Sequence, residues 1–134
     1  VWGMKYEVWG MRYEGWGMTK ESVLPVKSKS FAIKIIRLYT ELQNEKKEFV
    51  LSKQILRSGT SIGANIREAI RGQSKADFYA KLYISLKEAE ETEYWLELLS
   101  DTDFITYEKF DELSKDCEEI IRILMATVKH KDEN

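Results

Sequence analysis

The sequence predicts an all-α protein, an antiparallel up-down-up-down four-helix bundle. Three observations carry this. Apolar residues recur at helical spacing in four separate segments, no stretch alternates apolar and polar residues as a strand does, and the chain holds a single proline. With 134 residues, 43% of them hydrophobic and 33% charged, the chain has the composition of a helix-rich globular protein. That length suits one core, not two.

Residues 1–18 read as a repetitive N-terminal extension, expected to be disordered, and residues 19–134 as the bundle domain. The start runs VWGMKYE, VWGMRYE, GWGM, a heptad repeated with almost no drift. A glycine in every unit costs about 1 kcal/mol of helix propensity, and two units are too few for a coiled coil. Such a repeat resembles translated tandem DNA, which makes Met18 the expected natural initiator. The alternative is a structured arm carrying Trp2, Trp9 and Trp16.

The first helix is expected from about Ser28 or Ser30, both capping residue types, to near Asn44. Phe31, Ile35, Leu38 and Leu42 form its core stripe, while Ile33, Ile36 and Tyr39 lie outside it. A helix apolar on more than one side is deeply buried or faces a partner. The second helix spans about Val50 to Arg71, with Leu51, Ile55, Ile62, Ile66, Ala69 and Ile70 on one side. Gly59 and Gly63 sacrifice helix propensity beside that stripe, so a neighbouring helix is expected to approach closely there.

The third helix starts after Ser74, an N-cap with Asp77 three residues on, and ends near Ser100–Asp101. Its inner face is Phe78, Leu82, Ser85, Leu86, Ala89, Leu96 and Leu99. The fourth starts after Thr106 and carries Phe110, Leu113, Cys117, Ile120, Ile121, Leu124 and Val128 into a charged tail.

Net charge is −2, but its distribution is uneven. Residues 46–75 hold seven basic and two acidic side chains, net +5; residues 76–101 hold two basic and seven acidic, net −5. On the second helix Lys53, Arg57, Arg67 and Arg71 fall within roughly ±40° of one direction, opposite the apolar stripe, and Lys75 continues the line. Cations spaced about 6 Å apart along a helix can track a phosphate backbone, giving salt-sensitive, sequence-independent binding. The plainer readings are a solvated face, or one neutralised by the acidic third helix of a neighbouring subunit. No aromatic residue interleaves the cations as a stacking platform.

At this point three segments are recognisable together: GTSIGANIREA at 59–69, SKADF at 74–78 and KEAEETEYWLELL at 87–99. They resemble the bacterial four-helix-bundle family named for 23S rRNA intervening sequences, from Met18 onward. The resemblance implies an up-down bundle assembling as a homopentameric ring. Relatives of that family include accessory variability proteins of diversity-generating retroelements, which bind nucleic acid and a reverse transcriptase. Those relatives are markedly basic, whereas this chain is net acidic.

A second polar set, Ser61, Asn65, Glu68, Lys81, Glu88 and Thr92, flanks the apolar stripes of helices two and three. Such boundary groups are expected to form a hydrogen-bonded network that sets helix register or a subunit contact. Glu68 and Glu88 are carboxylates of the kind that ligate metals in helical bundles, but that chemistry uses Glu-x-x-His pairs, and the sole histidine, His130, lies in the tail. No metal site or cofactor is expected. Trp95 and Tyr94 read as packing or interface residues.

Cys117 is the only cysteine, so no internal disulfide can form, and it reads as a small buried hydrophobe. The sequence shows no phosphate loop, dinucleotide fingerprint or zinc spacing, no apolar run near the ~18–20 residues of a membrane span, and no signal peptide. The expected protein is cytoplasmic, contacts no membrane and is not an enzyme. It reads as a homo-oligomeric, pentameric scaffold or adaptor contacting RNA or DNA through helix two. The competing reading is a protein–protein interaction module with no nucleic acid.

Overall fold

The computed structural model describes residues 22–132. They form α1 (Val23–Asn44), α2 (Leu51–Ile70), α3 (Lys75–Asp101) and α4 (Tyr107–Lys129), with a 3-10 turn at His130–Asp132. No strand occurs among the described residues. Residues 1–18, read as the repetitive extension, lie outside them.

Two helix starts follow the capping logic of the sequence, and two depart from it. Ser74 Oγ accepts the Asp77 N–H at 3.0 Å, and Thr106 Oγ1 accepts that of Lys109 at 3.1 Å. α1, however, begins more than a turn ahead of Ser28, at Val23. Leu24 is buried there, and Pro25 sits in the first turn, where its missing N–H has no helical partner to lose. Ser28 is therefore not a cap but a buried helical residue, its hydroxyl donating to the Pro25 carbonyl at 3.3 Å.

At α2 the residue at the cap position, Val50, has no capping side chain. Glu48 does that work from two residues upstream. Its carboxylate accepts the N–H groups of Val50 (3.2 Å), Leu51 (2.9 Å) and Ser52 (2.7 Å), and its carbonyl accepts the Ser52 hydroxyl at 2.8 Å. A negative charge at this end also complements the helix dipole. Lys47 supplies the turn that brings Glu48 round, at a left-handed φ of 53°. α3 closes similarly: Asp103 is left-handed (φ 65°), and the N–H groups of Asp103 and Phe104 reach the carbonyls of Ser100 and Leu99.

α2 packs most extensively on α3 and α1, α3 packs less on α4, and α1 less again on α4. Residues meet in opposite order along these seams. Ile35 and Ser28 face Gly59 and Gly63, Thr92 and Lys81 meet Ser58 and Glu68, and Lys27 and Lys34 meet Glu119 and Glu112. The core runs through all four helices, from Leu24, Phe31 and Ile35 to Ile62, Phe78, Leu96 and Leu124. Each such buried side chain contributes about 1.5–3 kcal/mol.

Cys117 is fully buried, its thiol donating to the Ala89 carbonyl at 3.2 Å. Burial, with the nearby carboxylates Glu93, Glu118 and Asp116, pushes that thiol far up, so it stays protonated and inert. No described helix is long and apolar enough to cross a membrane, and no group of three His, Cys, Asp or Glu among the described residues is placed to hold a metal ion.

Among the described residues Glu93 is the one carboxyl held above its ordinary range, first by burial and then by the charges of Glu118 on α4 and of Glu97 and Glu90 on α3. With the folded value raised above the unfolded one, this group destabilises the fold progressively as pH rises through that window. Glu93→Gln is therefore expected to raise Tm by a few degrees at neutral pH. The advantage shrinks toward zero below the ordinary carboxylate range, as thermal melts at stepped pH will show.

Candidate nucleic-acid interface

The outward side of α2 is fixed by its inward side. Ile55, Ile62, Ile66 and Ala69 are buried. Gly59 lets α1 approach so closely that an added Cβ would stand 2.9 Å from Ile35 Cγ1 and Cγ2. The opposite face therefore points to solvent, and Lys53, Arg57, Arg67 and Arg71 are all exposed; Lys75, the first residue of α3, is half-buried.

The structure divides the five cations. Arg57 lies at the α3 edge and does not present a free charge. Its Nη1 meets Glu88 Oε1 at 3.1 Å and its Nη2 meets Glu91 Oε2, which also accepts the Trp95 indole N–H at 3.0 Å. Burial works to raise the Glu91 carboxyl, but the bonds from Trp95 and Arg57 outweigh it and hold that carboxyl below the usual range. Lys53, Arg67, Arg71 and Lys75 make no ion pair among the described residues. The expected stripe is thus four cations, not five. The sequence placed Arg57 correctly on the wheel, yet its partners lie across a helix seam that a single-helix wheel does not contain.

The polar set does not form one network. Ser61 Oγ donates to the Arg57 carbonyl (2.6 Å) and Asn65 Nδ2 to the Ser61 carbonyl (2.8 Å), both within α2. Lys81 pairs with Glu68 across α2 and α3 at 3.1 Å. Glu88 belongs to the Arg57 cluster, and Thr92 Oγ1 lies 2.8 Å from both Ser58 Oγ and the Glu88 carbonyl. A further buried stitch, from Ser85 Oγ to the Ile62 carbonyl at 2.9 Å, completes the α2–α3 seam. Two members that wheel reading passes over, Ser58 and Glu91, carry these contacts. The run of glutamates at 88–93 is the only sequence signal for the second.

Two further features lie on α1. Val26, Ile33 and Ile36 are exposed on its outer face, 58%, 41% and 47% accessible. Lys29, also exposed, faces Arg67 across the α1–α2 seam.

Comparison with known proteins places this geometry. A family model described as 23S rRNA-intervening sequence protein matches residues 21–126. The crystal structure of a protein with unknown function from the S23 ribosomal protein family of Bacteroides thetaiotaomicron VPI-5482 is 59% identical in sequence. It aligns with a TM-score of 0.79, covering 80% of this chain and 99% of that one. No curated protein matches the chain.

Proposed function

Because the chain belongs to the 23S rRNA-intervening sequence protein family, we propose that it is a non-enzymatic, self-assembling helical scaffold that contacts RNA or DNA through the basic side of α2. The observation that carries the reading is the set Lys53, Arg67, Arg71 and Lys75, left without carboxylate partners among the described residues of a chain whose net charge is negative. An evolved surface with more acids than bases has ample means to neutralise such cations, as it does for Arg57. The apolar outer face of α1 supports the assembly half of the reading, since exposed aliphatic side chains grouped on one helix mark an interaction surface. A pentamer presenting five copies of the basic face would add avidity to individually weak contacts.

Fluorescence anisotropy with labelled RNA and DNA tests the first half. Affinity is expected to fall by an order of magnitude or more between about 50 and 200 mM salt, and to be lost in Arg67→Glu/Arg71→Glu. Light scattering tests the second half, with a monomer as the outcome that removes the avidity argument. Absence of binding at low salt would replace this reading by a protein–protein interaction module in which α2 meets an acidic partner.

A further inference from the structure

α1 and α2 leave an open groove along their seam. Two contiguous hollows, of about 360 and 390 Å³, share Pro25, Lys29 and Arg67. One is floored by Ser28, Ala32, Gly63 and Ala64; the other continues past Val26 and Ile70 to Arg71. The helices lie close here, a Cβ at Gly63 standing 3.1 Å from Ser28 Oγ. Cations occupy both rims, Lys29 on α1 and Arg67 with Arg71 on α2. Among the described residues no carboxylate lines either hollow, and none of the three cations makes an ion pair.

Resting on the nucleic-acid reading above, we infer that this groove, and not the outer ridge of α2, seats the sugar–phosphate backbone of a single strand. Packed helices stand about 8–10 Å apart, axis to axis, so their seam admits one extended chain. A duplex, whose major groove alone is about 12 Å wide, cannot reach the floor and would meet only one rim. Arg67 and Arg71 lie one turn apart, about 6 Å, a step comparable with that between phosphates of an extended strand. Their planar guanidinium forks suit phosphate oxygens, and Lys29 closes on the strand from the other side. An acidic helix fits less well, because a floor of methyl groups and a hydroxyl offers no pocket for large apolar anchors. No aromatic side chain among the described residues lines the groove, so binding through it is indifferent to base sequence and steeply salt-dependent.

The test is anisotropy of a labelled thymidine oligonucleotide, alone and as a duplex of equal length, with the full chain. Lys29→Glu and Ala32→Leu both alter the groove from α1 and leave the outer face of α2 untouched. The wild-type chain is expected to bind the single strand about tenfold or more tighter than the duplex. Lys29→Glu weakens that binding about tenfold and lowers the salt slope by about 0.7, the share of one phosphate. Ala32→Leu narrows the groove at constant charge and weakens binding similarly, while circular dichroism melts of both variants stay cooperative. Should Lys53→Glu and Lys75→Glu abolish binding while both α1 variants behave as wild type, the groove is overturned and the α2 face stands. Displacement of the strand by poly-L-glutamate at equal charge concentration overturns it in favour of an acidic protein segment. No binding of either nucleic acid at low salt sinks both readings.

Discussion

Gly59→Ala is expected to destabilise the bundle by about 1–3 kcal/mol, the usual range for overpacking a closed core. The sign is not trivial, because alanine in a helix interior gains about 1 kcal/mol over glycine. Packing decides it. The new Cβ would stand 2.9 Å from both Ile35 Cγ1 and Cγ2 and 3.3 Å from Ile35 Cβ. These atoms are at the root of a β-branched side chain, which strongly prefers one rotamer in a helix, and its Cβ at 3.3 Å moves only with the backbone, so α1 itself must shift. Gly59→Leu is expected to prevent stable folding. Ile35→Ala vacates the contested space, so urea melts of the double variant should show less loss than the sum of the single changes. Gly63→Ala serves as the contrast: its Cβ meets the Ser28 hydroxyl at 3.1 Å, a group able to rotate, and its cost is expected to be near zero.

Glu48→Ala is expected to cost about 2–3 kcal/mol, more than an ordinary cap deletion, because one carboxylate serves three backbone donors. Loss of that carboxylate leaves the Ser52 N–H, which is buried, without its acceptor. In a domain of this size the loss corresponds to a Tm lower by roughly 10 °C. Glu48→Gln keeps one acceptor oxygen and is expected to recover about half the deficit. Equal melts for the alanine and wild-type chains would show that water replaces the carboxylate without loss.

These two residues also mark how much was legible beforehand. Helices two, three and four are readable almost to the residue, because Ser74 and Thr106 cap in the way their position suggests and because isoleucine and leucine repeat at helical spacing. Membership in the 23S rRNA-intervening sequence family is legible in the segments at 59–69, 74–78 and 87–99, and the comparisons bear it out. The close approach at Gly59 is legible too, since a mid-helix glycine has to be repaid by packing.

What escapes is whatever depends on two elements at once. Ser28 and Ser30 look like caps to a local rule, but burial of Leu24 extends α1 past them. Glu48 looks like a loop charge until the left-handed turn at Lys47 aims it at α2. Arg57 looks free on its own wheel, and Lys29 looks unrelated to Arg67, because neither the Glu88–Glu91 edge of α3 nor the α1–α2 groove exists within one helix. The four cations of α2 are exposed, as their wheel positions suggest, but Arg57 is paired with α3.

The enclosed sulfhydryl at 117 has a use beyond packing. A chain with one cysteine, walled in between the third and fourth helices and tied to a main-chain oxygen, cannot cross-link to a neighbour while folded, and an alkylating reagent reaches it only when that wall parts. The rate at which such a reagent consumes it therefore clocks the opening of this half of the molecule, and covalent dimers formed in air would count chains that had already come apart.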